Sequence, residues 1–111
     1  MDTLNQYREI IERALTRIAS IPHRYTNVKD RTVFDRNTDN YLIVREGWEG
    51  PRHIDCIVVH LEIRDGKIWI QEDGIEYGIA TDLEAAGVPK GDIVLGFQPP
   101  DVRSMTDYAV A

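Results

Sequence analysis

The dipeptide Asp65-Gly66, set between Ile54–Arg64 and Lys67–Glu72, constrains this chain more than any other feature. A two-residue type I′ turn needs positive φ at both central positions, which Asp-Gly supplies, and its twist matches that of the strands it joins. Arg64 then stands opposite Lys67, and a register follows. Ile63/Ile68, Leu61/Ile70 and Val59/Glu72 fall on one face, and Glu62/Trp69, His60/Gln71 and Val58/Asp73 on the other. The first face is greasy and needs a cover layer; the second gathers polar side chains around one tryptophan.

The cover is supplied at the start of the chain. From Thr3 to about Ala19, Leu4, Tyr7, Ile10, Ile11, Ala14, Leu15 and Ile18 recur at three-and-four spacing, which puts one apolar stripe on a helix. Thr3 with Gln6 fits a capping box, and Ser20-Ile21-Pro22 supplies the stop. Gln6, Glu9, Arg13 and Arg17 form the opposite, solvated face. Val28–Phe34 and Tyr41–Trp48 read as two further strands around the polar loop DRNTDN. The loop EGWEGPRHI then carries Trp48, either folded over the sheet edge or exposed.

Beyond the hairpin, a short helix is expected from Ile79 to about Ala86, ended by Gly87 and Val88-Pro89. Asp92–Phe97 is apolar enough to be buried, as either a last strand or a packed helical turn. The tail from Gln98 holds two prolines and ends in Tyr108, Ala109 and Val110, which suits an extended, docked segment. The expected architecture is α+β: an N-terminal helix on a mainly antiparallel four-stranded sheet, with a short second helix and a docked C-terminal segment, all in one domain over residues 1–111.

Charge and cysteine usage narrow the function. Nineteen acidic residues against thirteen Lys and Arg leave a formal charge of -6, a mean field that repels phosphate backbones. The densest basic cluster, Arg24, Lys29 and Arg31, is interrupted by Asp30, so no direct nucleic-acid binding is expected. A single cysteine, Cys56, excludes an internal disulfide; in the run CIVV it should behave as a small buried hydrophobe. Without an apolar run of spanning length, the chain reads as a cytoplasmic protein with no membrane partner.

His60, Glu62 and Asp73 on one hairpin face raise the possibility of a metal-dependent or acid-base hydrolytic site. That set supplies few ligands, and Trp69 takes up space between the strands. The glycines match neither a dinucleotide fingerprint nor a Walker pattern, and Ser20 and Ser104 lack a nucleophile elbow. No cofactor is expected. His60, Glu62, Trp69, Gln71 and Asp73 instead form a candidate partner-binding face, with Ile75 and Tyr77 near its rim. A sheet edge or aromatic rim of this kind also suits a homodimer.

Four stretches, YREIIE, YLIVREGWEGPRHIDCIVVHLEIRDGKIWIQEDG, GIATDLEAAGVPKGDIVLGF and TDYAVA, carry a likeness to a known family. Through them, and most specifically through DGKIWIQ and GVPKGDIVLGF, the chain resembles the XisI family, small cyanobacterial proteins described as fdxN-element excision controlling factors. The resemblance implies a non-enzymatic accessory role in developmentally programmed excision of a DNA element. It also implies an endonuclease-like XisH-type partner protein and a site-specific recombinase complex. The family brings no catalytic residues to carry over. Where its members often place His after LGF, this chain has Gln98.

Overall fold

The computed structural model describes residues 2–23 and 27–111; Arg24, a member of the basic cluster noted above, lies outside them. The chain runs α1 (Thr3–Ala19), β1 (Asn27–Asp35), β2 (Asn40–Glu49), β3 (Arg52–Arg64), β4 (Lys67–Asp73), α2 (Ile79–Ala85), a 3-10 turn (Lys90–Asp92), β5 (Ile93–Leu95) and α3 (Pro100–Arg103). The strands form one sheet in the order β1-β2-β3-β4-β5. Successive pairs are antiparallel until β5, which lies parallel to β4. The sheet thus has five strands rather than the expected four. A parallel neighbour cannot be reached by a tight turn, and α2 lies within the segment that makes the crossover.

The helix α1 forms where its apolar spacing predicts, burying Tyr7, Ile11, Ala14, Leu15 and Ile18. Its cap differs from expectation by one residue. Asp2 is the N-cap and its carboxylate accepts from Leu4 N at 3.1 Å, while Thr3 is already helical. A carboxylate there also complements the positive helix end. The buried stripe meets Tyr41, Ile43, Val59, Leu61, Ile68 and Ile70 on the covered sheet face. Each fully buried Leu or Ile contributes about 1.5–3 kcal/mol relative to exposure. Asp39 fastens the two layers, accepting from Arg8 Nε at 2.8 Å and from the Tyr41 hydroxyl at 2.9 Å. Tyr7 on α1 donates to Asp92, just before β5.

Asp65 and Gly66 adopt φ of 52° and 76°, as a type I′ turn requires, and the four pairs nearest the turn keep the predicted register. Past Leu61/Ile70 the register slips. His60 pairs with Glu72 and Val59 with Asp73, leaving Gln71 as the extra residue of a bulge. A second bulge lies on the other side of β3, where Ile43 pairs with Val59 and Val44 with Ile57. Val58 is the extra residue there and joins the core instead of facing solvent.

Two further expectations are corrected. Cys56 is exposed: it pairs with Arg45, in the half of β3 before the Val58 bulge, where Arg52–Ile57 lack the burial of Val58 and Val59. The C-terminal tail docks, but through the single helical turn α3 and a bridge between Ala109 and Val94. Asp92–Phe97 resolves as the end of a 3-10 turn followed by the strand Ile93–Leu95. Gly87, at φ 107°, follows α2 as expected. Among the described residues no helix is long and apolar enough to cross a membrane.

Candidate functional site

The face of the sheet opposite α1 carries most of the polar residues picked from sequence. Glu62 and Trp69 stand opposite one another across β3 and β4. Glu62 accepts from Gln71 Nε2 at 3.2 Å and from Arg64 at 2.6 Å, so Gln71 stays beside it despite the bulge. His60 Nε2 donates to Asn40 Oδ1 on β2 at 2.8 Å. These bonds run along and across strands, and they hold His60, Glu62 and Gln71 in place through groups that β-pairing has already ordered.

Trp69 is gripped by cations. The guanidinium of Arg64 lies 4.7 Å from the ring centroid and that of Arg103 lies 5.1 Å from it. Such cation–π contacts are worth about 0.5–2 kcal/mol each. Arg103 reaches there from α3, with Nε donating to the carbonyls of Gln98 at 2.9 Å and Leu95 at 3.2 Å. Gln98 thus contributes its backbone carbonyl to holding Arg103. The indole N–H of Trp69 is buried without a hydrogen-bond partner among the described residues.

Asp73 departs from the group. The bulge at Gln71 sets it opposite core-facing Val59, and its two oxygens accept from Ile75 N at 3.1 Å and Ile79 N at 3.0 Å. The second bond caps α2 from a distance, because the residue before that helix is Gly78, which has no side chain to offer. Exposed Glu72 takes the place opposite His60 that the sequence register gave to Gln71. His60, Glu62 and Asp73 therefore do not converge, and among the described residues no three His, Cys, Asp or Glu side chains are grouped to hold a metal ion. The hydrolytic arrangement expected as an alternative is not built here.

Sequence reasoning missed Asn40, Arg64 and Arg103 as members of this face. Arg64 was legible from the hairpin register. Asn40 depended on how β2 aligns with β3, and Arg103 on the path of the tail. At the rim, Ile75 is partly buried against the core, whereas Tyr77 is exposed and donates to Asp82 at 2.7 Å. Trp48 is 52% exposed, with its ring tilted against His53 at 4.8 Å.

A separate polar cluster lies near the end of α1. The Asp30 side chain is 4% exposed and accepts from Arg45 Nε at 2.8 Å; His23 Nε2 stands 3.0 Å from its other oxygen, poorly aligned for a hydrogen bond. Burial pushes the Asp30 carboxyl up, but Arg45 and His23 outweigh it and leave it below the usual carboxylate range. A concavity of about 370 Å³ beside this cluster is lined by residues from Ala19–His23 and Asn27–Asp30.

Comparison with known proteins gives these arrangements a family. The sequence matches the XisI protein family over residues 1–110. A crystal structure of a XisI-like protein from Anabaena variabilis is 38% identical, with a TM-score of 0.89, over 97% of this chain and 99% of that one. A second, of fdxN element excision controlling factor XisI from the same organism, is 35% identical, with a TM-score of 0.85, over 99% of this chain and 100% of that one. No curated protein matches the chain. Family pattern and solved structures agree along nearly the whole sequence, and the chain belongs to the XisI family.

Proposed function

We propose that this protein is a non-enzymatic accessory factor in the excision of a DNA element, acting by binding an XisH-like, endonuclease-type partner rather than DNA. The excision role rests on family membership and on the similarity to an fdxN element excision controlling factor. The mode of action rests on one observation above the others. His60, Glu62 and Gln71 are hydrogen-bonded to strand neighbours around a Trp69 whose ring is contacted by two guanidinium groups, on a sheet face that α1 does not cover. A rigid polar surface around an aromatic centre suits recognition of a protein, since little entropy remains to be lost when it docks. Its carboxylates, in a chain of net charge -6, complement the basic surface that a DNA-cleaving partner carries.

The test is capture of an XisH-type protein by the tagged chain, with Glu62→Ala and Gln71→Ala as variants that leave the core untouched. Retention of the partner by the parent and its loss in both variants is the expected result. Equal capture by parent and variants would move the contact elsewhere. A stoichiometric divalent ion in the purified protein, released by His60→Ala, would favour the hydrolytic alternative.

A further inference from the structure

The two edges of the sheet are finished differently. β5 is three residues long and the tail closes on it, with Ala109 N donating to the Ile93 carbonyl at 2.8 Å. β1 is nine residues long, pairs with β2 without a bulge, and has no strand beyond it among the described residues. The ladder tells which of its backbone groups are free. Ile63 N donates to the Asp39 carbonyl, so Asn40 turns its own amide and carbonyl towards β1, where it meets Asp35. Alternation then leaves Asp30, Thr32 and Phe34 with amides and carbonyls aimed past the edge. Such an edge is a template for another strand unless its side chains forbid the approach.

The side chains of β1 forbid most approaches and permit one. Arg31 is exposed and has no hydrogen-bond or ion-pair partner among the described residues, and Val33 beside it is 43% exposed. Consider a second copy pairing antiparallel about a two-fold axis normal to the sheet. Centred on Arg31, the axis sets that cation against itself; centred on Thr32, it sets Arg31 against Val33 and Asp30 against Phe34. Centred on Val33, it sets Arg31 against Asp35, Lys29 against Asn37 and Asp30 against Arg36, so no like charges meet. Thr32 then pairs with Phe34, and their free backbone groups satisfy one another. On the inner side, the groove between α1 and Phe34 carries Glu9 and Glu12 beside Arg13 and Arg17, so it presents both signs to its copy. Self-complementarity of this kind is what an isologous contact requires.

We infer that the protein forms a homodimer by antiparallel pairing of β1 with β1 of a second copy, in the register that puts Val33 on the two-fold axis. Edge pairing leaves both faces of the sheet open, including His60, Glu62 and Trp69, so it neither needs nor blocks the proposed partner.

Light scattering and sedimentation of the isolated chain at micromolar concentration should give twice the chain mass. Thr32→Pro removes an amide that faces away from β2, so it should give the single-chain mass while the circular dichroism of the fold persists. Arg31→Asp should weaken dimerisation about tenfold by opposing Asp35, and Arg31→Lys should keep it within a few-fold. In the parent, the Thr32 and Phe34 amides should exchange slowly with solvent and faster on dilution. A parent of single-chain mass overturns the inference, as does a dimer in which those amides exchange fast or one that Arg31→Asp leaves unchanged. A monomer that forms a one-to-one complex with an XisH-type protein, lost on Thr32→Pro, would also overturn it by assigning the edge to that partner.

Discussion

Replacing Asp73 by Ala tests whether this residue belongs to the fold or to the contact face. In the structure its carboxylate caps the start of α2 through Ile79 N at 3.0 Å and closes the turn after β4 through Ile75 N at 3.1 Å. Loss of a helix cap costs about 1 kcal/mol, and loss of a second charge-assisted bond at a half-buried site costs about the same, so Asp73→Ala should destabilise by about 2 kcal/mol. With unfolding entropy near 2.1 cal/mol/K per residue over 111 residues, that corresponds to a fall in Tm of about 9 °C. Glu72→Ala is the control: its side chain is exposed, and the expected change is within about 0.5 kcal/mol, or roughly 2 °C. Asp73→Asn keeps one acceptor oxygen and should fall between them. Thermal unfolding followed by circular dichroism reads all three. Equal melting of the Ala variants at 72 and 73 would refute the assignment of Asp73 as a remote helix cap and return it to the candidate surface.

Two other expectations concern the core and its hydroxyl latches. Leu61→Ala, at a fully buried position between Tyr41 and Ile70, should cost about 3 kcal/mol in denaturant unfolding with little change in m-value. Tyr7 and Tyr41 are pushed up to about 12 chiefly by burial, with Asp92 and Asp39 adding to it, and Tyr108 to about 12 chiefly by its hydrogen bond to Glu84. Because the neutral phenol is favoured in the fold, their stabilisation is complete below an unfolded value near 10 and is lost as pH rises from there through about 12. An ultraviolet titration should therefore show these tyrosines ionising late in the native protein and at the ordinary value in denaturant.

Local patterns in the sequence were enough for α1, the tight hairpin and the buried stripe, because each is decided by residues close together in the chain. Asp65-Gly66 dictates its turn by φ alone, and Tyr7, Ile11, Leu15 and Ile18 share a side by helical geometry. The bulges at Val58 and Gln71 obey no such local rule. They arise where a strand must satisfy two neighbours at once, and shifting one residue there moves Asp73 to the covered side and Glu72 to the open one. β5 was ambiguous because three apolar residues have no period. Arg103 was invisible as a neighbour of Trp69 because 34 positions and a change of direction separate them.

The same final strand has a bearing on synthesis. Every other neighbour in the sheet is joined through a short reversal, but β4 must wait for α2 and the 3-10 turn to emerge before Ile93–Leu95 can reach it. A nascent chain therefore displays β4 as an edge strand, paired with β3 on one side but with unpaired amides and carbonyls open to any passing polypeptide on the other, until almost all of the protein has left the ribosome. Whatever slows translation late in the message would prolong that vulnerable interval.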